Sequence, residues 1–133
     1  MSRPTRVLVV EDERNIRTAL AVWLRGLGCV VSDCGLSDWT VEVGRNEFDL
    51  ALVGVSREGR DGLNLINRLR ASRPGMQVVV MSVDAAVETV VEAMRRGAVD
   101  YLVRPLTPAP LRRALDHLQS TGRPDQNVIA NGL

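Results

Sequence analysis

Phe48–Leu63 has the sequence FDLALVGVSREGRDGL, an apolar run followed by a polar segment that carries two glycines. A short apolar run bounded by turn residues is typical of a buried strand that leads into a loop. Such strands occur in parallel sheets whose two faces are both covered by helices. Open α/β sheets bind ligands just outside the carboxyl ends of their strands. At that end this strand carries Gly54, which has no side chain.

The remainder of the chain alternates strand and helix patterns around this segment. The predicted strands are Arg6–Val10, Cys29–Ser32, Leu50–Val53, Gln77–Met81 and Tyr101–Val103. Apolar residues at helical spacing follow each strand, as in Val87, Val90, Val91 and Met94. Alternation of this kind predicts right-handed βαβ units. We therefore expect an α/β fold of the flavodoxin-like (βα)5 type, a three-layer sandwich whose parallel five-stranded sheet has the order 2-1-3-4-5.

Length and composition limit the function classes. We expect 133 residues to form one domain over residues 1–120, followed by a tail or the start of a linker over 121–133. The net charge of +1 gives no reason to predict a nucleic-acid or membrane surface. No apolar stretch approaches the roughly 20 residues of a membrane span, and Met1–Arg6 is too short and polar for a signal peptide. We therefore expect a cytoplasmic location.

The two cysteines, Cys29 and Cys34, fall in one apolar run. Five residues of strand separate them by about 16 Å, which is beyond disulfide reach. Their odd spacing places them on opposite faces of the predicted sheet. We interpret both as small buried hydrophobic residues and not as a metal or redox pair.

Three adjacent carboxylates, Glu11, Asp12 and Glu13, follow the first strand. They would repel a phosphate, whereas flavin and nucleotide sites offer amides and hydroxyls at this position. Oxygen ligands at close range suit a hard cation such as Mg²⁺. The alternative is a solvated acidic loop at the first helix N-terminus.

Residues 6–119 resemble the receiver domain of two-component response regulators. The matching segments are VLVVEDE (Val7–Glu13), DLALVGV…DGL (Asp49–Leu63), VVVMS (Val78–Ser82) and ETVVEAMRRGAVDYLVRPL (Glu88–Leu106). The last segment is the most specific, and it most resembles receivers that precede ATPase-type transcriptional activators.

The resemblance implies a phosphorylation switch at the sheet edge. Two acidic residues, here Glu11 and Asp12, would hold Mg²⁺, and an aspartate at position 54 would accept a phosphoryl group from a histidine kinase. A lysine would contact the phosphate where Arg104 precedes Pro105 here. Ser82 and Tyr101 occupy the two switch positions.

This chain departs from that pattern at the position that matters most. Gly54 has no nucleophile, so no acyl phosphate can form there, and we expect the domain not to be an enzyme. A ligand carboxylate is also missing, so we expect no cofactor and weak or absent Mg²⁺ binding at Glu11 and Asp12. Arg104 replaces the usual lysine, and Glu58 stands where a proline is common.

Two interpretations of Arg104 remain open in the sequence. Its guanidinium, or a water molecule, is predicted to occupy part of the space left at Gly54 and to neutralise Glu11 and Asp12 as an internal cation. Alternatively, Arg104 reflects a chain in which all 17 basic residues are arginine, and it points to solvent.

Other residues are poor substitutes for the missing acceptor. Asp49 lies about 16 Å away, at the opposite end of the strand. Asp61 is better explained as a helix N-cap. Ser56 would need an adjacent base.

We therefore predict a degenerate receiver domain that regulates transcription through protein contacts. The expected surface is formed by helices 4 and 5, around Glu88, Glu92, Arg95, Arg112 and Arg113. A homodimer and a histidine kinase are the expected partners. Two alternatives stay open: a conventional receiver whose acceptor aspartate was replaced at position 54, and a flavodoxin-like nucleotide or flavin binder.

Overall fold

A computed structural model of the chain describes residues 3–55 and 60–121. Strands and helices alternate throughout these residues. The strands are β1 (Arg6–Val10), β2 (Val30–Cys34), β3 (Leu50–Val55), β4 (Gln77–Ser82) and β5 (Asp100–Val103). The helices are α1 (Arg14–Gly26), α2 (Trp39–Arg45), α3 (Arg60–Ser72), α4 (Val87–Arg95) and α5 (Pro108–Thr121).

The five strands form one parallel sheet in the order β2-β1-β3-β4-β5. The predicted fold class and strand order are thus confirmed. β3 lies at the centre, where Val53 pairs with Val10 of β1 and Gly54 pairs with Met81 of β4. Every residue of β3 is buried, as its apolar run predicts.

Helices cover the two faces of the sheet, and each face has its own core. Alternate strand residues such as Val7, Val9, Leu50 and Leu52 pack with α1 and α5. The intervening residues pack with α2, α3 and α4, and they include Leu8, Val10, Ala51 and Val53. Each strand position therefore belongs to a defined face, which decides where side chains beyond the strand ends lie.

Several predicted elements differ from the structure: β3 extends to Val55 rather than Val53, and β2 and α4 also differ. β2 begins at Val30 and continues to Cys34, whereas the prediction ended it at Ser32. The apolar stripe of α4 does not face the core: Val87 is 72% exposed, Val91 41% and Met94 44%. Ala93 is the buried residue of α4, because a small side chain allows the helix to lie close to the sheet.

The cysteines occupy opposite faces, as predicted. Cys29 packs in the core beneath α1 and α5, and Cys34 packs in the other core. Burial raises the pKa of Cys34 to about 12, with a further contribution from the Glu42 and Asp38 carboxylates. Both thiols are therefore neutral at physiological pH.

The predicted boundary at residue 120 falls near the end of α5, which extends to Thr121. Residues 122–133, where we predicted a tail or linker, lie outside the described residues. Across residues 3–55 and 60–121, none of the helices combines the length and apolar character needed to cross a bilayer.

Candidate functional site

Three positions at the carboxyl edge of the sheet share one face. Glu11 continues the alternation of Val7 and Val9, and Gly54 continues that of Leu50 and Leu52. Sheet pairing extends past the strand ends, since the Glu11 amide donates to Cys34 O (2.9 Å) and the Arg104 amide to Ser82 O (2.8 Å). Side chains of Glu11 and Arg104 therefore extend over the α1–α5 face.

The guanidinium of Arg104 forms an ion pair with the carboxylate of Glu11, through Nη2 and Oε1. Because neighbouring strands are about 4.8 Å apart, the three intervals between β1 and β5 span roughly 14 Å. The two side chains bridge this interval from opposite sides and meet above Gly54 on β3. A Cβ atom at position 54 would lie 2.6 Å from Nη2 of Arg104 and 2.8 Å from Cδ of Glu11.

This ion pair is largely withdrawn from solvent. Side-chain exposure is 16% for Arg104 and 7% for Glu11. The second carboxylate oxygen of Glu11 accepts a hydrogen bond from the amide of Glu13 (3.0 Å). Burial lowers the pKa of Arg104 from its ordinary value, but a guanidinium remains charged at neutral pH. This geometry contradicts the interpretation in which Arg104 points to solvent.

Asp12 does not take part in the pair. Its Oδ1 accepts a hydrogen bond from the amide of Leu36 (2.7 Å), in the segment between β2 and α2, and the residue is exposed. Arg104 therefore contacts one member of the predicted acidic pair.

The donor set does not fit the Mg²⁺ ion that a receiver edge would imply. One oxygen of Glu11 is held by Arg104 and the other by a backbone amide. Oδ1 of Asp12 accepts a hydrogen bond from the Leu36 amide, and Gly54 contributes no side-chain oxygen. Within the described part of the chain, no group of three or more histidine, cysteine or acidic residues is placed to hold a metal ion.

The side chains of Ser82 and Tyr101 are connected to each other through Asp84. The fully buried Ser82 accepts a hydrogen bond at Oγ from the Asp84 amide (3.1 Å). The Tyr101 hydroxyl donates to the carbonyl oxygen of Asp84 (2.6 Å). The Asp84 carboxylate accepts hydrogen bonds from the Ala86 amide (2.9 Å) and the Thr89 hydroxyl (2.8 Å) at the start of α4. Sequence reasoning missed Asp84, although an aspartate a few residues before a helix often accepts hydrogen bonds from nearby backbone amides.

The structure gives separate outcomes for the other candidate residues. Asp49, at the opposite end of β3, binds the Arg3 guanidinium (2.7 and 3.1 Å) and the Arg6 amide (2.9 Å). Pro105 follows Arg104 through a cis peptide bond. Ser56 and Glu58 lie outside the described residues. α3 begins at Arg60, so Asp61 lies inside the helix and not at the N-cap position that we predicted.

Comparison with known proteins agrees with this architecture. Residues 7–116 match the response regulator receiver domain family. The transcriptional regulatory protein ZraR of Escherichia coli K12 is 36% identical over 130 residues, which cover 94% of this chain and 30% of that protein. This chain thus spans about a third of the length of that relative.

Solved structures share the fold. A response regulator from Thermotoga maritima is 28% identical with a TM-score of 0.80, over 88% of this chain and 99% of that one. A response regulator from Burkholderia pseudomallei, solved with a phosphorylated aspartic acid, is 21% identical with a TM-score of 0.71, over 96% of this chain and 72% of that one. The second likeness concerns the fold alone.

Proposed function

The chain belongs to the response regulator receiver family, and we propose that it is a degenerate member whose signalling does not depend on phosphorylation of its own sheet edge. The observation that carries this proposal is the Glu11–Arg104 ion pair, which meets above Gly54. Gly54 has no nucleophile, and the pair fills the volume beside it. The domain is accordingly a binding module without catalytic activity.

In this proposal Arg104 takes over the electrostatic role of the missing metal ion. A buried carboxylate needs a compensating charge or hydrogen bonds, and Glu11 receives both from within the chain. Mg²⁺ would have to displace a covalently attached guanidinium that is already in contact. We therefore expect Mg²⁺ binding at Glu11 and Asp12 to be weak or absent, and no cofactor to be needed.

The wild-type chain is expected to remain unlabelled when incubated with acetyl phosphate and Mg²⁺. No carboxylate occupies position 54, and the edge does not offer a converging set of ligands. Intact mass spectrometry and hydroxylamine sensitivity measure an acyl phosphate directly, and isothermal titration measures Mg²⁺ binding. The B. pseudomallei regulator, which can carry a phosphorylated aspartic acid, is the positive control. A stoichiometric, hydroxylamine-sensitive adduct on this chain, or sub-millimolar Mg²⁺ affinity, would refute the proposal.

Output is proposed to pass through protein contacts on α4, β5 and α5. Exposed apolar side chains on α4 and β5, Val87, Val91, Met94 and Val103, form what we call the apolar patch. Charged residues of both signs border it on α4 and α5: Glu88, Glu92, Arg95, Arg112 and Arg113. An apolar centre with a polar rim is the usual anatomy of a protein interface. Mixed charges suit a symmetric homodimer, in which each acidic residue can face a basic residue of the second copy.

Replacement of Val91 by Asp is expected to weaken homodimerisation by at least about tenfold, because it places a charge at the centre of the patch. Val22, 63% exposed on α1, provides a matched control, since V22D places the same charge on the other face of the sheet. Sedimentation velocity at increasing concentration measures both. Equal dimerisation of V91D and wild type, or stronger disruption by V22D, would exclude the patch as the dimer contact.

The relatives suggest the wider context. Because ZraR is named as a transcriptional regulatory protein, we propose that this domain regulates transcription in the cytoplasm, with a histidine kinase as a possible further partner. Membership of the receiver family argues against the flavodoxin-like nucleotide or flavin binder. The other alternative is a conventional receiver that has lost its acceptor aspartate. It is distinguished from a degenerate receiver by whether an aspartate introduced at position 54 is sufficient to restore phosphorylation.

A further inference from the structure

A side chain at position 54 would compete for volume with both members of the ion pair, most closely with Oε1 of Glu11. A Cβ atom on residue 54 would approach Nη2 of Arg104 to 2.6 Å and Cδ of Glu11 to 2.8 Å, and carbon atoms in proteins do not come so near to non-bonded groups. Both obstacles are the ends of flexible side chains and not backbone. The conflict can therefore be relieved, but only if the Glu11–Arg104 ion pair separates.

Glu11 has little room to move aside, whereas Arg104 also lines an open cavity beside α1 and α5. Glu11 is 5% exposed, and its second oxygen is held by the Glu13 amide at 3.0 Å. The Nε atom of Arg104 is buried, and no acceptor for it is found among the described residues. Among the described residues, the guanidinium of Arg104 therefore has Glu11 as its polar partner, and a side chain at position 54 would remove that partner.

An aspartate introduced at position 54 would also be captured electrostatically. Its carboxylate would lie beside the guanidinium, whose planar fork binds carboxylates through two parallel hydrogen bonds. The oxygens required for attack on a phosphorus atom and for metal binding would then be engaged. Lysine is a compact point charge on a flexible stem, so it would neither fill the volume above residue 54 nor hold both oxygens.

From this geometry we infer that Gly54 and Arg104 act as one specificity-determining pair, which decides whether the edge holds an internal ion pair or a metal ion with a phosphoryl group. The inference rests on the proposed function. It follows that G54D alone does not restore phosphoacceptor activity, whereas G54D combined with R104K does. The chain thus differs from a typical receiver at two coupled positions, Gly54 and Arg104, and not only in the loss of the acceptor aspartate.

The experiment compares four proteins: wild type, G54D, R104K and G54D/R104K. Each is incubated with acetyl phosphate and MgCl2. In the expected step, an oxygen of the introduced carboxylate attacks phosphorus, the new O–P bond forms, and the bond from phosphorus to the acetyl oxygen breaks with release of acetate. Intact mass spectrometry gives the labelling rate, and circular dichroism confirms that each variant is folded.

G54D/R104K is expected to label at least about tenfold faster than G54D, because misplacement of reacting groups by about 1 Å can reduce rates by up to about a hundredfold. Wild type and R104K are expected to remain unlabelled, since neither has a nucleophile at position 54. Mg²⁺ titration is a second readout, and only the double variant should bind the ion more tightly than wild type. G54D/R104Q repeats the test with a shorter, neutral side chain, so that the conclusion does not depend on the folding of one variant.

The inference and the proposed function fail in different ways. Equal labelling of G54D and G54D/R104K would overturn the inference and would favour a conventional receiver that has merely lost its acceptor. Folded G54D/R104K and G54D/R104Q proteins that both remain unlabelled would also overturn it. Labelling of the wild-type chain would instead remove the proposed function.

Discussion

Replacement of Arg104 by Met is expected to lower the free energy of unfolding by about 3 kcal/mol, because it leaves the Glu11 carboxylate buried without its cation. Methionine retains much of the aliphatic volume of arginine, so lost packing contributes little. The Glu11 side chain is 7% exposed, so solvent screens its charge only weakly. Urea denaturation followed by the fluorescence of Trp23 and Trp39 measures the change through the shift of the transition midpoint.

A second substitution separates the charge effect from other causes. E11Q/R104M removes both charges, and the glutamine oxygen can still accept the hydrogen bond from the Glu13 amide. We expect the double variant to recover about 2 kcal/mol relative to R104M, as is common when no buried charge is left unpaired. R112M is the matched control, since Arg112 is 60% exposed in its pair with Asp116 and should change stability by less than about 0.5 kcal/mol. Similar losses of stability in R104M and R112M would show that the buried Glu11–Arg104 pair contributes no more than an exposed ion pair.

The fold was predictable because its signals are repeated along the chain. Five apolar runs alternate with helical patterns, and short right-handed connections leave few topologies for such a sequence. The carboxyl end of β2 was harder to place, since two consecutive polar residues, Ser32 and Asp33, interrupt the apolar run of this edge strand. Periodicity also shows that α4 has an apolar stripe, but not whether the stripe faces the sheet or a partner. A small buried residue, Ala93, was the available indication that the core lies on another side of the helix.

The candidate site was predictable in part. Proximity of Glu11, Gly54 and Arg104 follows from strand order, and their common face follows from the period of two along each strand. The same period would have shown that Asp12 falls on the opposite phase from Glu11, and this signal was not used. The sequence predicts that the Arg104 guanidinium occupies part of the space at Gly54, but its final position depends on packing by α1 and α5. Burial of that kind is a tertiary property and cannot be read from neighbouring residues.

Replacement of Gly54 by Ala is expected to lower the free energy of unfolding by about 2 kcal/mol, since overpacking of a filled site typically costs about 1–3 kcal/mol. The introduced Cβ would lie 2.6 Å from Nη2 of Arg104 and would force Arg104 away from Glu11. The same substitution at Gly44 is the matched control, because Gly44 is exposed in α2 and a Cβ there would meet no atom within 4 Å.

G44A is expected to raise stability by about 0.5–1 kcal/mol, since alanine restricts the unfolded chain and favours the helix. The two glycine substitutions should therefore have opposite signs in the same urea assay. The G54A substitution should lower stability less in the R104M background than in wild type, because the long guanidinium then no longer competes for the volume above residue 54. A neutral or stabilising G54A would mean that the space is free, and that the glycine is not required by the ion pair that lies over it.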